Sequence, residues 1–278
     1  MARTPVGSSD GSGVVLVAPA KLTLSLRVTG VRPDGYHLLE SEMVSLDLAD
    51  TLVVEDGNGT RLDVVPDWPR GAEGWRALDV GAPGENLVTR ALDAVGRTAH
   101  VRLVKRIPPG AGLGGGSADA AAVLRWAGCT DRAVAARLGA DVPFCLTGGR
   151  ARVSGIGEHV VPLPFAARSF LLVLPPFGID TAAVYRAWDV LAASGDRPAD
   201  GTSSNDLEDA AVAVEPRLTG WKRALEDATG RTAHLAGSGS TWFVEGTPEE
   251  LGVDSAAGLR HAGRYAPLVA TSTAPGVG

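Results

Sequence analysis

The stretch Pro108-Pro109-Gly110-Ala111-Gly112-Leu113-Gly114-Gly115-Gly116-Ser117-Ala118-Asp119-Ala120-Ala121-Ala122 joins a glycine-packed loop to an alanine-rich helix. Its glycines let the backbone lie against a ligand with no Cβ in the way. A helix start adds unpaired N–H groups and the positive end of the helix dipole. The junction therefore suits phosphate, with Ser117 where an N-cap hydroxyl belongs. No Gly-Lys-Ser/Thr closes the loop as in a Walker sequence, and its glycines do not follow the dinucleotide-fold spacing. Read alone, the run fits either a tight connection or a third class of phosphate loop.

Outward from the loop, 278 residues with 45% hydrophobic content are enough for a buried core in one large or two modest domains. A net charge of −6 argues against a nucleic-acid partner, since no basic cluster compensates for it. Cys129 and Cys145 lack metal-ligand spacing and are expected as reduced thiols. Residues 1–13 are polar and rich in glycine and serine, which reads as a loose tail. The longest apolar stretch, 170–174, is far too short to cross a bilayer, so a soluble cytoplasmic protein is expected.

Strands are expected at 14–17 and 22–28, adjacent around Pro19-Ala20-Lys21, and at 51–55 and 61–65, joined by a hairpin-like turn at Asp56-Gly57-Asn58-Gly59. A helix is expected over 86–95, a strand over 100–105 feeding the loop, and a helix over 117–127 leaving it. Thr130 can cap a short helix over 131–138 that Gly139 stops in the left-handed conformation, leaving Asp141 just beyond its end. A strand at 170–174, helices at 181–191, 206–214 and 217–228, and strands at 241–244 and 265–270 follow. Residues 192–204 read as a surface loop, and a boundary between the halves falls near 157–168.

The segment from Pro108 to Ala122 resembles the second motif of the GHMP small-molecule kinases. Pro19-Ala20-Lys21-Leu22, Arg32-Pro33-Asp34-Gly35-Tyr36-His37 and Leu138-Gly139-Ala140-Asp141-Val142-Pro143-Phe144 resemble the branch of that family acting on a cytidine diphosphate sugar alcohol. Leu235-Ala236-Gly237-Ser238-Gly239-Ser240-Thr241 is similar to the third motif. The resemblance implies a two-domain α+β GHMP kinase fold. Its amino-terminal ATP-binding domain, like the second domain of ribosomal protein S5, would span residues 1–160, and a ferredoxin-like carboxy-terminal domain would span 161–278. It also implies phosphoryl transfer from ATP, with Mg²⁺, to an alcohol of a small-molecule substrate, without nucleic acid or membrane.

Carried over residue by residue, the resemblance makes Lys21 and Asp141 catalytic, with Asp141 accepting the hydroxyl proton. On their own residues, Lys21 equally fits a snorkelling side chain and Asp141 a turn cap. ATP would be held by Pro109, Gly110, Gly112, Leu113, Gly114, Gly115, Gly116 and Ser117, and by Asn86, which an N-cap role explains as well. Tyr36 and His37 would hold the pyrimidine with Tyr185, and Thr23, Thr181, Gly237, Ser238, Gly239 and Asp141 would complete the substrate site. Thr23 departs from the asparagine usual two residues after the lysine, and the stretch between Ala122 and Leu138 is shorter than in the family. Homoserine or mevalonate as acceptor, or a catalytically weakened nucleotide-binding homologue, are the alternatives.

Overall fold

Strand β1 (Val14–Val31) runs antiparallel to β2 (His37–Asp56), with Val14 opposite Val54 and Val31 opposite His37. The computed structural model describes residues 13–67, 85–194 and 203–276. Register is lost between Pro19 and Lys21 and then resumes, so the two strands expected around Pro19 are one. A local irregularity takes up the proline, which cannot donate to the ladder.

After β3 (Arg61–Pro66) and α1 (Leu87–Ala94), strand β4 (Ala99–Lys105) inserts between β2 and β3, antiparallel to the first and parallel to the second. The hairpin expected at Asp56-Gly57-Asn58-Gly59 is therefore absent, because β2 and β3 are not neighbours. Their partner lies about forty residues onward in the chain, and its alternate residues Ala99, Val101 and Leu103 are buried.

Helix α2 (Gly115–Trp126) leaves the glycine loop, and Ala118, Ala120, Ala121 and Ala122 are all buried, so the helix lies close on its neighbours. Its N-cap is Gly114, left-handed at φ 64°, and not Ser117, which falls inside the first turn. Helix α3 (Arg132–Leu138) is capped by Asp131, whose carboxylate accepts from the Ala133 amide at 2.7 Å, and not by Thr130. Gly139 is extended at φ 172° and not left-handed, because the chain runs straight on into α4 (Val142–Thr147). Strands β5 (Arg150–Gly155) and β6 (His159–Leu163) then extend the sheet from β2.

The second half comprises β7 (Ser169–Val173), α5 (Thr181–Ser194), α6 (Glu208–Val214), α7 (Arg217–Thr229), β8 (His234–Leu235), β9 (Trp242–Glu245), α8 (Pro248–Leu251), β10 (Leu259–His261), β11 (Arg264–Ala266) and β12 (Leu268–Ala274). The strand expected over 265–270 is split at Pro267: β11 pairs with β10, and β12 with β7. Of the loop expected over 192–204, residues 195–202 lie outside the described residues, as do residues 1–12 of the expected tail. The sheet order β3-β4-β2-β12-β7-β9-β8 carries one sheet across both halves, with β12 as the link. Leu22, Leu46, Ile107, Leu113, Phe170 and Phe243 pack together beside that link. Among the described residues no helix is long and apolar enough to cross a membrane.

Under the glycine loop lies a buried ionic set. Lys105 at the end of β4 donates to Asp50 of β2 and, at 2.8 Å, to Asp119 of α2. Asp50 Oδ1 also accepts from the amides of Arg106 at 2.5 Å and Ile107 at 2.9 Å, whereas Asp119 Oδ1 is buried without a hydrogen-bond partner. Burial opposes the Lys105 ammonium, but Asp119 and Asp50 outweigh it and hold its pKa above the ordinary value. Asp50 is the better hydrogen-bonded of the two carboxyls, accepting from two amides as well as from the ammonium, whereas Asp119 accepts from the ammonium alone. Burial pushes Asp119 up to about 7. A carboxyl whose native pKa exceeds its unfolded value binds its proton more tightly when folded, so its stabilising share is lost as pH rises through the native pKa. In thermal melts from about pH 5 to about pH 8, the wild-type chain should lose stability relative to Asp119→Asn; an offset constant with pH would show that Asp119 stays ionised.

Candidate active site

The loop between β4 and α2 is pressed against three separate segments, and its glycines are what permit this. A Cβ on Gly110 would lie 2.9 Å from Gly178 Cα, one on Gly112 2.1 Å from the Ala236 carbonyl oxygen, and one on Gly114 2.7 Å from Lys21 Cγ. The loop's carbonyls are used on the protein: Ile179 N donates to Gly110 O at 3.1 Å, Thr241 N to Ala111 O at 3.2 Å and Lys21 N to Leu113 O at 3.0 Å. With its carbonyls engaged this way, the loop leads into the first amides of α2, which have no intrahelical acceptor.

A cleft of about 340 Å³ opens over this loop. It is lined by residues 108–117, Lys21 and Thr23 of β1, Asp141 ahead of α4, Thr181 and Tyr185 of α5, and Gly237 and Ser238 between β8 and β9. Most of the residues expected from sequence thus converge, although Lys21 and Asp141 are 120 positions apart (141 − 21). Lys21 Nζ stands 3.3 Å from Asp141 Oδ2, with the lysine side chain 6% and the aspartate side chain 30% exposed. Lys21 is buried up to its ammonium, so it is not a snorkelling surface lysine. Asp141 occupies the N-cap position of α4 but makes no capping bond, which leaves its carboxylate to Lys21. That removes the turn-cap reading.

Thr23, expected in the substrate site, lines the cleft and accepts a hydrogen bond from Lys21 Nζ at 3.1 Å. The two side chains sit at i and i+2 on one face of β1, a proximity the strand period already implied. Thr181 and Ser238 hydroxyls are 2.8 Å apart across the cleft wall. Gly237, at φ 59°, comes close to the ammonium, since a Cβ there would lie 3.2 Å from Lys21 Nζ. Gly239 differs from expectation: at φ 90° it gives its amide to Ala236 O, and a Cβ would face Ile179 and Leu235, so it shapes the turn.

His37 and Tyr36 lie outside the residues lining the cleft, but His37 is tied to its wall. The imidazole packs 4.7 Å from the Tyr185 ring and its Nε2 lies 2.7 Å from Asp189 Oδ1. Burial, and secondarily the charge of Asp141, raise the Tyr185 hydroxyl well above the ordinary tyrosine range, so it stays protonated. Tyr36 is 59% exposed, with the Arg32 guanidinium 6.0 Å from its ring centroid. Asn86 caps α1, its side chain accepting from the Val88 amide at 2.9 Å, next to Leu87, which does line the cleft.

One residue of the site was not read from the sequence. Asn205 is 3% exposed; its Nδ2 donates to Leu235 O at 2.9 Å and Gly237 O at 2.7 Å, and its Oδ1 accepts from Leu207 N at 3.0 Å. The same segment bonds β1, with Leu26 N donating to Ser204 O at 2.8 Å. A single carboxamide thus sets the 236–241 turn against β1. The only sequence signal was a polar Ser-Ser-Asn-Asp run ahead of α6.

The family described as GHMP kinases N terminal domain matches residues 86–149, which span the loop and Asp141. The 4-diphosphocytidyl-2-C-methyl-D-erythritol kinase of Paracoccus denitrificans is 40% identical over 243 residues, covering 81% of this chain and 84% of that one. The enzyme of that name from Ruegeria pomeroyi is 39% identical over 250 residues, covering 81% and 86%. A crystal structure of 4-(cytidine 5'-diphospho)-2C-methyl-D-erythritol kinase matches with a TM-score of 0.64 at 32% identity, over 95% of this chain and 100% of that chain. Such identity along most of both chains, on a shared fold, makes this chain a member of the 4-diphosphocytidyl-2-C-methyl-D-erythritol kinase family within the GHMP kinases.

Proposed function

We propose that this chain transfers the γ-phosphoryl group of ATP to the 2-hydroxyl of 4-diphosphocytidyl-2-C-methyl-D-erythritol, a step in the methylerythritol phosphate route to isoprenoid precursors. The observation that carries the chemistry is the 3.3 Å approach of Lys21 Nζ to Asp141 Oδ2 beside the glycine loop. Residues 1–160 form the ATP-binding domain, and residues 161–278 form the second domain, which contributes Thr181, Tyr185, Gly237 and Ser238 to the cleft.

The amides at the start of α2 and the loop glycines bind the triphosphate tail. Asp141 accepts the proton of the acceptor hydroxyl as its oxygen bonds to the γ-phosphorus and the bond to the β–γ bridging oxygen breaks. Lys21 donates one N–H to Thr23 and stands against Asp141 as an ion pair, which leaves donor capacity for a phosphoryl oxygen that gains charge in the transition state. No group of three His, Cys, Asp or Glu side chains among the described residues could hold a metal ion. Mg²⁺ would enter with ATP and would neutralise charge on the triphosphate. Asn86, Gly116 and Ser117 serve the nucleotide, and Thr181, Gly237 and Ser238 serve the substrate diphosphate. The exposed Tyr36 ring and the His37–Tyr185 pair flank the cytosine, a reading supported by Tyr185 lining the cleft and by the 4.7 Å packing of His37 on its ring. A base to stack distinguishes this acceptor from homoserine and mevalonate.

An ADP-release assay should give turnover with the cytidylyl substrate and none above background with homoserine or mevalonate; activity with either small alcohol alone would overturn the assignment. Asp141→Asn should lower kcat by about two or more orders of magnitude with KM for ATP little changed, as loss of a positioned base does. Thr23→Val should lower kcat roughly five- to tenfold, the worth of one hydrogen bond holding the Lys21 ammonium. An unchanged kcat in the valine variant would remove Thr23 from that part.

A further inference from the structure

The loop that binds the triphosphate begins immediately after Lys105 and ends at Gly115, and both ends converge on one ammonium. At the start, Asp50 accepts from the amides of Arg106 and Ile107 and from Lys105 Nζ. At the far end, Asp119 on the second turn of α2 accepts from the same Nζ at 2.8 Å. The first residue of the helix rests on that ammonium as well: a Cβ on Gly115 would lie 3.0 Å from Lys105 Nζ and 2.9 Å from Ile107 Cγ2. Lys105, Asp50 and Asp119 are all buried, and none of them lines the cleft. They stand behind the cleft wall and bridge the loop's two ends.

We propose that Asp119, acting through Lys105, is a positioning residue for ATP: it holds the start of α2 in register with the end of β4 so that the loop amides converge on the triphosphate. The remaining features of the set follow. A cation alone beneath a helix N-terminus is repelled by the helix dipole, and the two carboxylates offset that repulsion. The orphaned Asp119 Oδ1 costs free energy that a plain packing residue would avoid, which is expected where a site is held in a fixed shape. Small displacements of groups that align a phosphate lead to large losses in binding, so the effect should fall on the nucleotide and spare the acceptor.

The inference rests on the loop being the ATP site, and direct binding tests the two separately. Binding of ATP with Mg²⁺, and of CDP as a probe of the base site, would be measured by calorimetry on the wild-type chain, Asp119→Ala and Asp119→Asn. Asp119→Ala should weaken ATP binding roughly tenfold or more and CDP binding less than about twofold, whereas Asp119→Asn, which can still accept from Lys105, should restore ATP binding to within about threefold of wild type. If Asp119→Ala does not fold, Asp119→Ser, whose hydroxyl is too short to reach Lys105, carries the same expectation. A folded variant with a lowered melting temperature but unaltered ATP affinity would reduce Asp119 to a structural part and overturn the inference. A wild-type chain that binds CDP but no ATP would overturn the loop assignment and the inference with it.

Discussion

Close approach of bare backbone is the constraint on which this molecule turns. The loop after β4 touches Gly178 ahead of α5, Ala236 beyond β8 and the stem of Lys21 on β1, at separations that leave no room for a single methyl group. Those contacts bring pieces of both halves of the chain to one place. The buried core strands then hold the pieces there, and the sheet through β12 keeps both sides of the cleft on one frame. The exposed loop amides and the meeting of Lys21 with Asp141 are thus consequences of one packing arrangement.

The ionic groups around the loop divide the labour by depth. Lys21 and Asp141 face the cleft and pair there at 3.3 Å. Lys105, Asp50 and Asp119 lie behind the loop, where their bonds are spent on backbone amides and on each other. Asn205 plays the corresponding part on the opposite wall with an uncharged carboxamide. Each wall of the cleft is therefore backed by a buried polar side chain that saturates main-chain groups remote in sequence.

Much of this was legible in the sequence, and for identifiable reasons. The glycine loop, α2, Lys21 and Asp141 are short contiguous patterns whose residue types have few structural uses in that order. Elements that depend on distant partners were harder. The twenty residues of β2 change register three times against β1, which erases the alternation that would reveal a strand of that length. The chain between Gly139 and β5 contains an apolar run with no periodicity to separate a helical turn from a strand, so α4 stayed hidden. Asp56-Gly57-Asn58-Gly59 has good hairpin chemistry, yet β4 takes the position beside β2 that the hairpin would have filled. Asn205, Asp50 and Asp119 have no local signature, because their meaning lies entirely in what they bond.

Strand β12 closes the frame from the far end of the chain. It pairs with β7 along most of its length and then places Thr273 opposite Leu46 and Ala274 opposite Ser45, while Gly276 bridges Gly148. On the ribosome, the edge of β2 at Ser45 and Leu46 must wait through the synthesis of more than two hundred further residues before its neighbour emerges. The amino-terminal portion therefore completes its hydrogen bonding only after translation has passed Ala274, so the sheet beneath the cleft cannot close while the first half is still alone.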